Sequence, residues 1–152
     1  MQVEITVRPA TTLVGLKIRT APMSPEIPAL WPRFVARIPE IAHPATPGVT
    51  YGVMSPAGPD MQALDYLAGV AVNDAGALPE GLASWVLPAG TYAVFRLPFG
   101  QIGAGYDQIF RTWFPAAGVV QAPGPLFERY DAQFCPDRPD SMVEIGVPVK
   151  PR

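Results

Sequence analysis

Two stretches of this 152-residue chain run through the same order of hydrophobic patterns: alternating, helical, alternating, alternating. In the first, Val14, Leu16 and Ile18 alternate with their neighbours, apolar residues recur at helical spacing from Ile27 to Ile38, and short strand patterns follow at 50–54 and 66–72. In the second, residues 91–97 alternate, a helical stripe runs from Ile102 to Phe114, and strand patterns return at 126–131 and 143–149. An offset of 77 residues carries Tyr51 to Glu128 and Tyr66 to Val143, and one of 78 carries Leu13 to Thr91. Residue identities are not shared, so the repetition lies in element order and spacing. A βαββ unit has one apolar sheet face and one apolar helix stripe, and two such units bury both by coming together. The pattern therefore predicts an α+β fold of two pseudo-twofold βαββ repeats, about residues 2–75 and 82–150, with antiparallel sheets and a ligand cleft between them. Both repeats belong to a single domain spanning 1–152. On the 77-residue offset Tyr51 and Glu128 take equivalent positions and line that cleft from its two sides.

The remaining elements follow from local chemistry. Val3, Ile5 and Val7 read as a further strand, joined to the next by Pro9-Ala10-Thr11-Thr12, and residues 85–87 read as another, before the Pro88-Ala89-Gly90 turn. Ser24-Pro25 offers a helix start. Pro28 and Pro32 predict that the first helix begins late or kinks, since an interior proline loses a backbone hydrogen bond. The second helix is expected to end at Pro115. The 20 prolines are dispersed, and 55–59, 87–90 and 122–125 read as turns or loops rather than linkers.

Composition removes several function classes. No apolar run reaches the ~20 residues that span a bilayer, so no membrane role is expected. Cys135 is the one cysteine, which excludes an internal disulfide and fits a cytoplasmic protein; the N-terminus shows no secretory leader. A net charge of −2 with scattered Lys and Arg gives no basic stripe, and no helix-turn-helix pattern opens the chain, so direct nucleic-acid binding is not expected. His43, the one histidine, reads as solvated in a proline-flanked loop, which leaves no metal-ligand cluster and no histidine-based nucleophile system. The glycines from Gly100 to Gly105 match no phosphate-loop pattern and read as a helix lead-in, so neither a cofactor nor a metal is expected.

The segment Leu126-Phe127-Glu128-Arg129-Tyr130-Asp131 carries the chemistry. As a strand it places Leu126, Glu128 and Tyr130 on one face. Either that face lies on a solvated edge, or it puts a carboxylate among aromatic side chains. The second arrangement costs several kcal/mol unless a cation or a proton offsets it. Trp31, Tyr51, Tyr66, Trp85, Phe99, Tyr106 and Tyr130 are enough rings to line a pocket as well as fill a core. With an inward carboxylate, such rings describe a site for cationic or planar aromatic compounds.

The segments Thr11–Arg19, Leu30-Trp31, Tyr51-Gly52-Val53, Tyr66–Val70, Leu87–Phe95, Trp113-Phe114-Pro115, Phe127–Tyr130 and Val143–Val149, taken in order, resemble the GyrI-like small-molecule-binding domains. That family includes the effector-binding modules of AraC-type and multidrug-sensing regulators. The resemblance implies two SHS2-type repeats around a cleft with a central glutamate, matched here by Glu128. It implies a ligand-binding set of Glu128, Trp31, Tyr51 and Phe99, to which Tyr66, Tyr106 and Tyr130 are added as further rings not matched position by position; Glu144 also recurs in the family pattern and reads as structural.

The expected function is a stand-alone small-molecule-binding protein that takes hydrophobic, planar or cationic compounds for sensing or sequestration. Two alternatives remain. One is a hydrolase of xenobiotics such as cyclopropane-bearing alkylators, with Glu128 as base and Tyr51 or Tyr130 polarising the leaving group. The other is a protein-partner module, a gyrase inhibitor or a transcription-regulator subunit.

Overall fold

A computed structural model describes residues 1–58 and 62–152. The strands are β1 (Gln2–Arg8), β2 (Thr11–Thr20), β3 (Thr50–Ala57), β4 (Ala63–Val72), β5 (Ala83–Leu87), β6 (Gly90–Pro98), β7 (Val119–Gln121), β8 (Leu126–Tyr130) and β9 (Met142–Pro151). Helix α1 (Glu26–Val35) lies between β2 and β3; α2 (Ile102–Gln108) and α3 (Phe114–Ala116) lie between β6 and β7. Among the described residues no helix is long and apolar enough to cross a membrane.

The strands pair antiparallel in the order β1-β6-β9-β8-β3-β4-β2-β5, with β7 on the far end of β9. The order within the halves is the same, β2-β4-β3 and β6-β9-β8, and the halves meet at the β3–β8 pair. The expected pseudo-twofold βαββ repetition is thus present. Each half also carries a leading strand that crosses over: β1 precedes β2 but pairs with β6, while β5 precedes β6 but pairs with β2. One register runs through both pairings, with Arg8 opposite Gly90 and Thr11 opposite Leu87. The breaks fall at Pro9-Ala10 and Pro88-Ala89, where a proline has no N–H to give the ladder. Such short links cannot span a wide sheet. The two ends of the strand order therefore belong to one kinked ribbon, and the sheet curls round to meet itself.

The curl separates two apolar regions. Inside it, Leu13, Tyr51, Val53, Leu67, Leu87, Tyr92 and Phe127 pack together. On the outer face each helix covers its own half. Leu30 and Phe34 of α1 lie on Val14, Leu16, Tyr66 and Val70, and Ile109 and Phe114 lie on Phe95, Val143, Ile145 and Val147. Trp31 packs against both outer clusters, which places it where the halves join.

Three local expectations are corrected. Helix α1 starts at Glu26 rather than late, because Pro28 falls in the first turn, where no N–H is needed; the Glu26 N–H is taken by Ser24 Oγ at 3.1 Å. Pro115 does not end the second helix. A π-helical turn (Ile109–Trp113) joins α2 to α3, and its extra residue per turn rotates Phe110 out of the buried stripe to 37 % exposure. Ser55-Pro56-Ala57 continues β3 instead of forming a turn; Pro59, the end of that expected turn, lies outside the described residues. Strand β7, three residues long, had no legible alternation.

Close approach of β2 to β4 depends on Gly15, where a Cβ would stand 1.8 Å from the Ala68 carbonyl oxygen. Backbone cannot yield as a side chain does. Gly15→Ala is expected to destabilise the fold by about 3 kcal/mol in urea denaturation, whereas Gly103→Ala, at an open helical position, is expected to be neutral or to stabilise by up to about 1 kcal/mol. Equal midpoints for the two variants would remove this account of the β2–β4 contact.

Candidate functional site

Strand β8 turns Leu126, Glu128 and Tyr130 to the helix side and Phe127 and Arg129 to the inside of the curl. Glu128 is 8 % exposed and is one of two buried polar or charged residues among those described. Both of its oxygens accept short hydrogen bonds. The Tyr130 hydroxyl donates to Oε1 at 2.6 Å, and the Tyr106 hydroxyl, reaching down from α2, donates to Oε2 at 2.5 Å. From α1, the Trp31 indole N–H donates to the Tyr66 hydroxyl at 3.0 Å, and the Trp31 ring meets Tyr130 edge-on at 5.4 Å. Phe99, on the turn leading into α2, meets Tyr130 edge-on at 6.3 Å. The two halves therefore supply one site: Trp31 and Tyr66 from the first, Phe99, Tyr106, Glu128 and Tyr130 from the second.

Tyr51 is not part of it. In the β3–β8 register Tyr51 lies opposite Arg129 and Gly52 opposite Glu128, and a shift of one residue along a strand moves a side chain to the other face. Tyr51 is buried inside the curl, 6.0 Å from Phe127, and its hydroxyl accepts from Arg8 at 3.3 Å. It lies on the opposite face of the sheet from Glu128, so the expected pairing of the two across one cleft is not what the register gives. An offset one residue shorter, from Gly52 to Glu128, keeps both positions on the helix side. Trp85 is also elsewhere, on β5 beneath Lys17.

Two residues were missed by sequence reasoning. Gly52 forms the floor of the site: a Cβ there would stand 2.3 Å from the Tyr66 hydroxyl and 3.4 Å from Glu128 Oε1. Its signal was its position, one residue beyond the tyrosine chosen instead. Phe134, in the loop after β8, packs on Tyr130 at 4.7 Å and on Phe99 at 5.1 Å. No periodicity marks a single ring in a loop.

The electrostatics follow from burial. Removal from water pushes the Glu128 carboxyl above the ordinary carboxylate range, and the Tyr106 and Tyr130 donors oppose that rise. Burial and then the neighbouring carboxylate hold Tyr66, Tyr106 and Tyr130 above the ordinary phenol range, so all three keep their protons. The ion pairs among the described residues leave Glu128 without a cation. Arg129, its neighbour in sequence, faces away and pairs with Glu144 at 3.0 Å. Surface clefts of about 250 and 310 Å³ lie elsewhere, one beside Arg96 and Arg138, the other beside Phe110 and Val120. Neither is lined by a residue that contacts Glu128; the carboxylate's own rings close over it.

A buried carboxylate under converging rings thus stands where the two βαββ units meet. The chain belongs to the GyrI-like family: residues 1–150 match the GyrI-like small molecule binding domain. It is 32 % identical over 154 residues to the transcriptional regulator BrlR of Pseudomonas aeruginosa, covering 98 % of this chain and 56 % of BrlR. The chain thus spans little more than half the length of that relative. Among solved structures it is similar to SAV2435 bound to tetraphenylphosphonium, with a TM-score of 0.75 at 17 % identity over 99 % of this chain and 94 % of that one. It is also similar to the integron cassette protein VCH_CASS2 from the mobile metagenome of Vibrio cholerae, with a TM-score of 0.68 at 21 % identity over 97 % and 95 % of the two chains.

A carboxyl whose folded pKa is raised adds stability at low pH and loses it as pH rises through that pKa. Glu128→Gln is therefore expected to melt above the wild type at pH 8 and to lose that advantage below pH 4, with Tm by calorimetry as the readout. An advantage that persists unchanged at low pH would show that ionisation is not its source. Gly52→Ala is expected to displace the Tyr66 hydroxyl and break its bond to Trp31, visible as a changed indole fluorescence with the fold retained by circular dichroism.

Proposed function

We propose that this protein binds lipophilic cations, with Glu128 as counter-charge and Trp31, Tyr66, Phe99, Tyr106 and Tyr130 as the surrounding rings. The observation that carries this reading is a buried carboxylate with no cation of its own. Two phenol donors satisfy its hydrogen bonds but leave its charge unbalanced. A ligand bearing a diffuse positive charge supplies that balance, and aromatic faces attract it through their quadrupoles. The likeness to a structure that holds tetraphenylphosphonium supports the same ligand class. The rings must part to admit a ligand, because Glu128 is buried in this conformation.

Retention of such compounds serves sensing or sequestration. In a longer protein, or with a separate regulator chain, the bound state would be the signal. Binding and ionisation are linked: burial raises the carboxyl's pKa in the empty site and a bound cation lowers it, so binding releases a proton at any pH where the empty site still holds one. Affinity is expected to rise with pH until Glu128 is ionised in the empty site.

Titration calorimetry with tetraphenylphosphonium tests this. Glu128→Gln is expected to weaken the cation about tenfold to a hundredfold, or about 1.4–2.8 kcal/mol, and to leave the neutral analogue triphenylphosphine oxide unchanged. Heats measured in two buffers of different ionisation enthalpy are expected to report proton release by the wild type alone. Equal affinity of both chains for the cation would sink the proposal. Multiple-turnover conversion of a strained alkylating ligand, in place of stoichiometric retention, would move Glu128 to the role of general base with Tyr130 or Tyr106 as acid.

A further inference from the structure

The loop from Asp131 to Ser141, between β8 and β9, has no strand or helix of its own but is tied down along its length. Ser141 Oγ accepts the Cys135 N–H at 3.0 Å, and the carbonyls of Ser141 and Pro139 accept the N–H groups of Phe99 at 2.7 Å and Gly100 at 2.8 Å. One side of the loop carries Phe134 onto Tyr130 and Phe99. Its other side, with Arg96 of β6, walls the surface cleft of about 250 Å³. That cleft is lined by two guanidinium groups, Arg96 and Arg138, and by two carboxylates, Asp131 and Asp140. None of the four takes part in an ion pair among the described residues.

Their neighbours explain why they stay open. Glu144 lies directly across the β6–β9 ladder from Arg96 but pairs with Arg129 at 3.0 Å, and the β1 residue opposite Arg96 is the uncharged Gln2. Asp131 Oδ1 accepts the Gln133 N–H at 2.9 Å, which fixes the direction of that carboxylate without balancing its charge.

We propose that this cleft binds a small zwitterion with the ammonium and carboxylate groups of an α-amino acid. A ligand of single charge meets both attraction and repulsion there. A ligand with both charges sets its carboxylate on Arg96 and Arg138, whose forked N–H donors match two oxygens, and its ammonium on Asp131 and Asp140. Ser141, having accepted the Cys135 N–H, still has a hydroxyl proton to donate. Met142 is the one apolar residue in the lining and no ring borders it, so the cleft does not suit the lipophilic cations proposed for Glu128. The space equals about eight waters at ~30 Å³ each, room for an amino acid's backbone and a short side chain. A loop already held by its own hydrogen bonds loses little further freedom when such a ligand binds.

Amide shifts of the nitrogen-15-labelled full chain, titrated with each common L-amino acid, test this. At least one amino acid is expected to move the amides of Gln133, Arg138 and Ser141, with a Kd on the order of 1 mM. The N-acetyl and methyl-ester forms of that amino acid each lack one charge and are expected to bind at least about tenfold more weakly. Arg138→Gln and Asp140→Asn, both at exposed positions, are each expected to weaken the amino acid about tenfold with circular dichroism unchanged. Neither is expected to alter tetraphenylphosphonium binding, and Glu128→Gln is expected to leave the amino acid's affinity as it was, so the two sites fail separately. A panel in which no amino acid moves those amides, or shifts that persist in both cleft variants, would overturn the proposal. A singly charged form that binds as tightly as its parent would overturn it as well, by making the cleft a simple anion or cation site.

Discussion

Gly52 lies opposite Glu128 where β3 of the first half pairs with β8 of the second, and the rest of the site depends on that pairing. It joins the two halves at the middle of the strand order, while β1–β6 and β2–β5 join them at its ends. Because strands alternate faces, it also decides which residues of each half share a surface. Glu128 comes up under the junction of α1 and α2, and the missing side chain at Gly52 leaves room for the Tyr66 hydroxyl beside it. Trp31 can then reach Tyr66 from one helix while Tyr106 reaches Glu128 from the other. Moved by one residue, the same pairing would put Arg129 beneath the helices and send the carboxylate into the curl.

That single-residue sensitivity explains what was legible in the sequence. The repeated order of elements was legible because period-two and helical spacing survive when identities do not, and the pseudo-twofold fold followed from it. The carboxylate among rings was legible for the same reason: Leu126, Glu128 and Tyr130 alternate with Phe127 and Arg129. The partner of Glu128 across the twofold was not legible, because an offset of element spacing is good to a residue or two, while a sheet face needs it to the residue. Tyr51 was a plausible ring at a position one residue from the right one. The crossed pairings of β1 and β5 were also beyond reach, since nothing local tells a strand that the strand after it in sequence is not its neighbour. The π turn escaped because its extra residue lies inside an otherwise regular apolar stripe.

A carboxylate placed in such surroundings has three ways to be tolerated: a built-in cation, a proton, or donors that satisfy it while leaving its charge. Arg129 is adjacent in sequence, yet alternation sends it to the other face and to Glu144. The helix side supplies phenols instead. Phenols held above their ordinary pKa by burial keep their protons, so both can donate to the carboxylate, and one can turn its hydroxyl to accept from the carboxyl's own O–H when Glu128 is protonated. An arginine in the same position would have formed a closed, charge-neutral pair with nothing left to offer a cation. Two phenols leave a full negative charge, or the proton that substitutes for it, waiting for exchange.

The rings that surround this carboxylate also set what can replace the proton. A small, strongly hydrated cation would have to give up water for aromatic edges and faces that return little of its solvation. A large cation whose charge is spread over apolar groups gives up little water and gains the contact area of Trp31, Phe99 and the tyrosines. The discrimination therefore lies in desolvation rather than in directional hydrogen bonds, since both Glu128 oxygens are already engaged by O–H donors. On the proposed reading, a site built this way would be broad toward shape and strict toward charge and hydration. It therefore suits a protein that meets many related compounds better than one that must recognise a single compound.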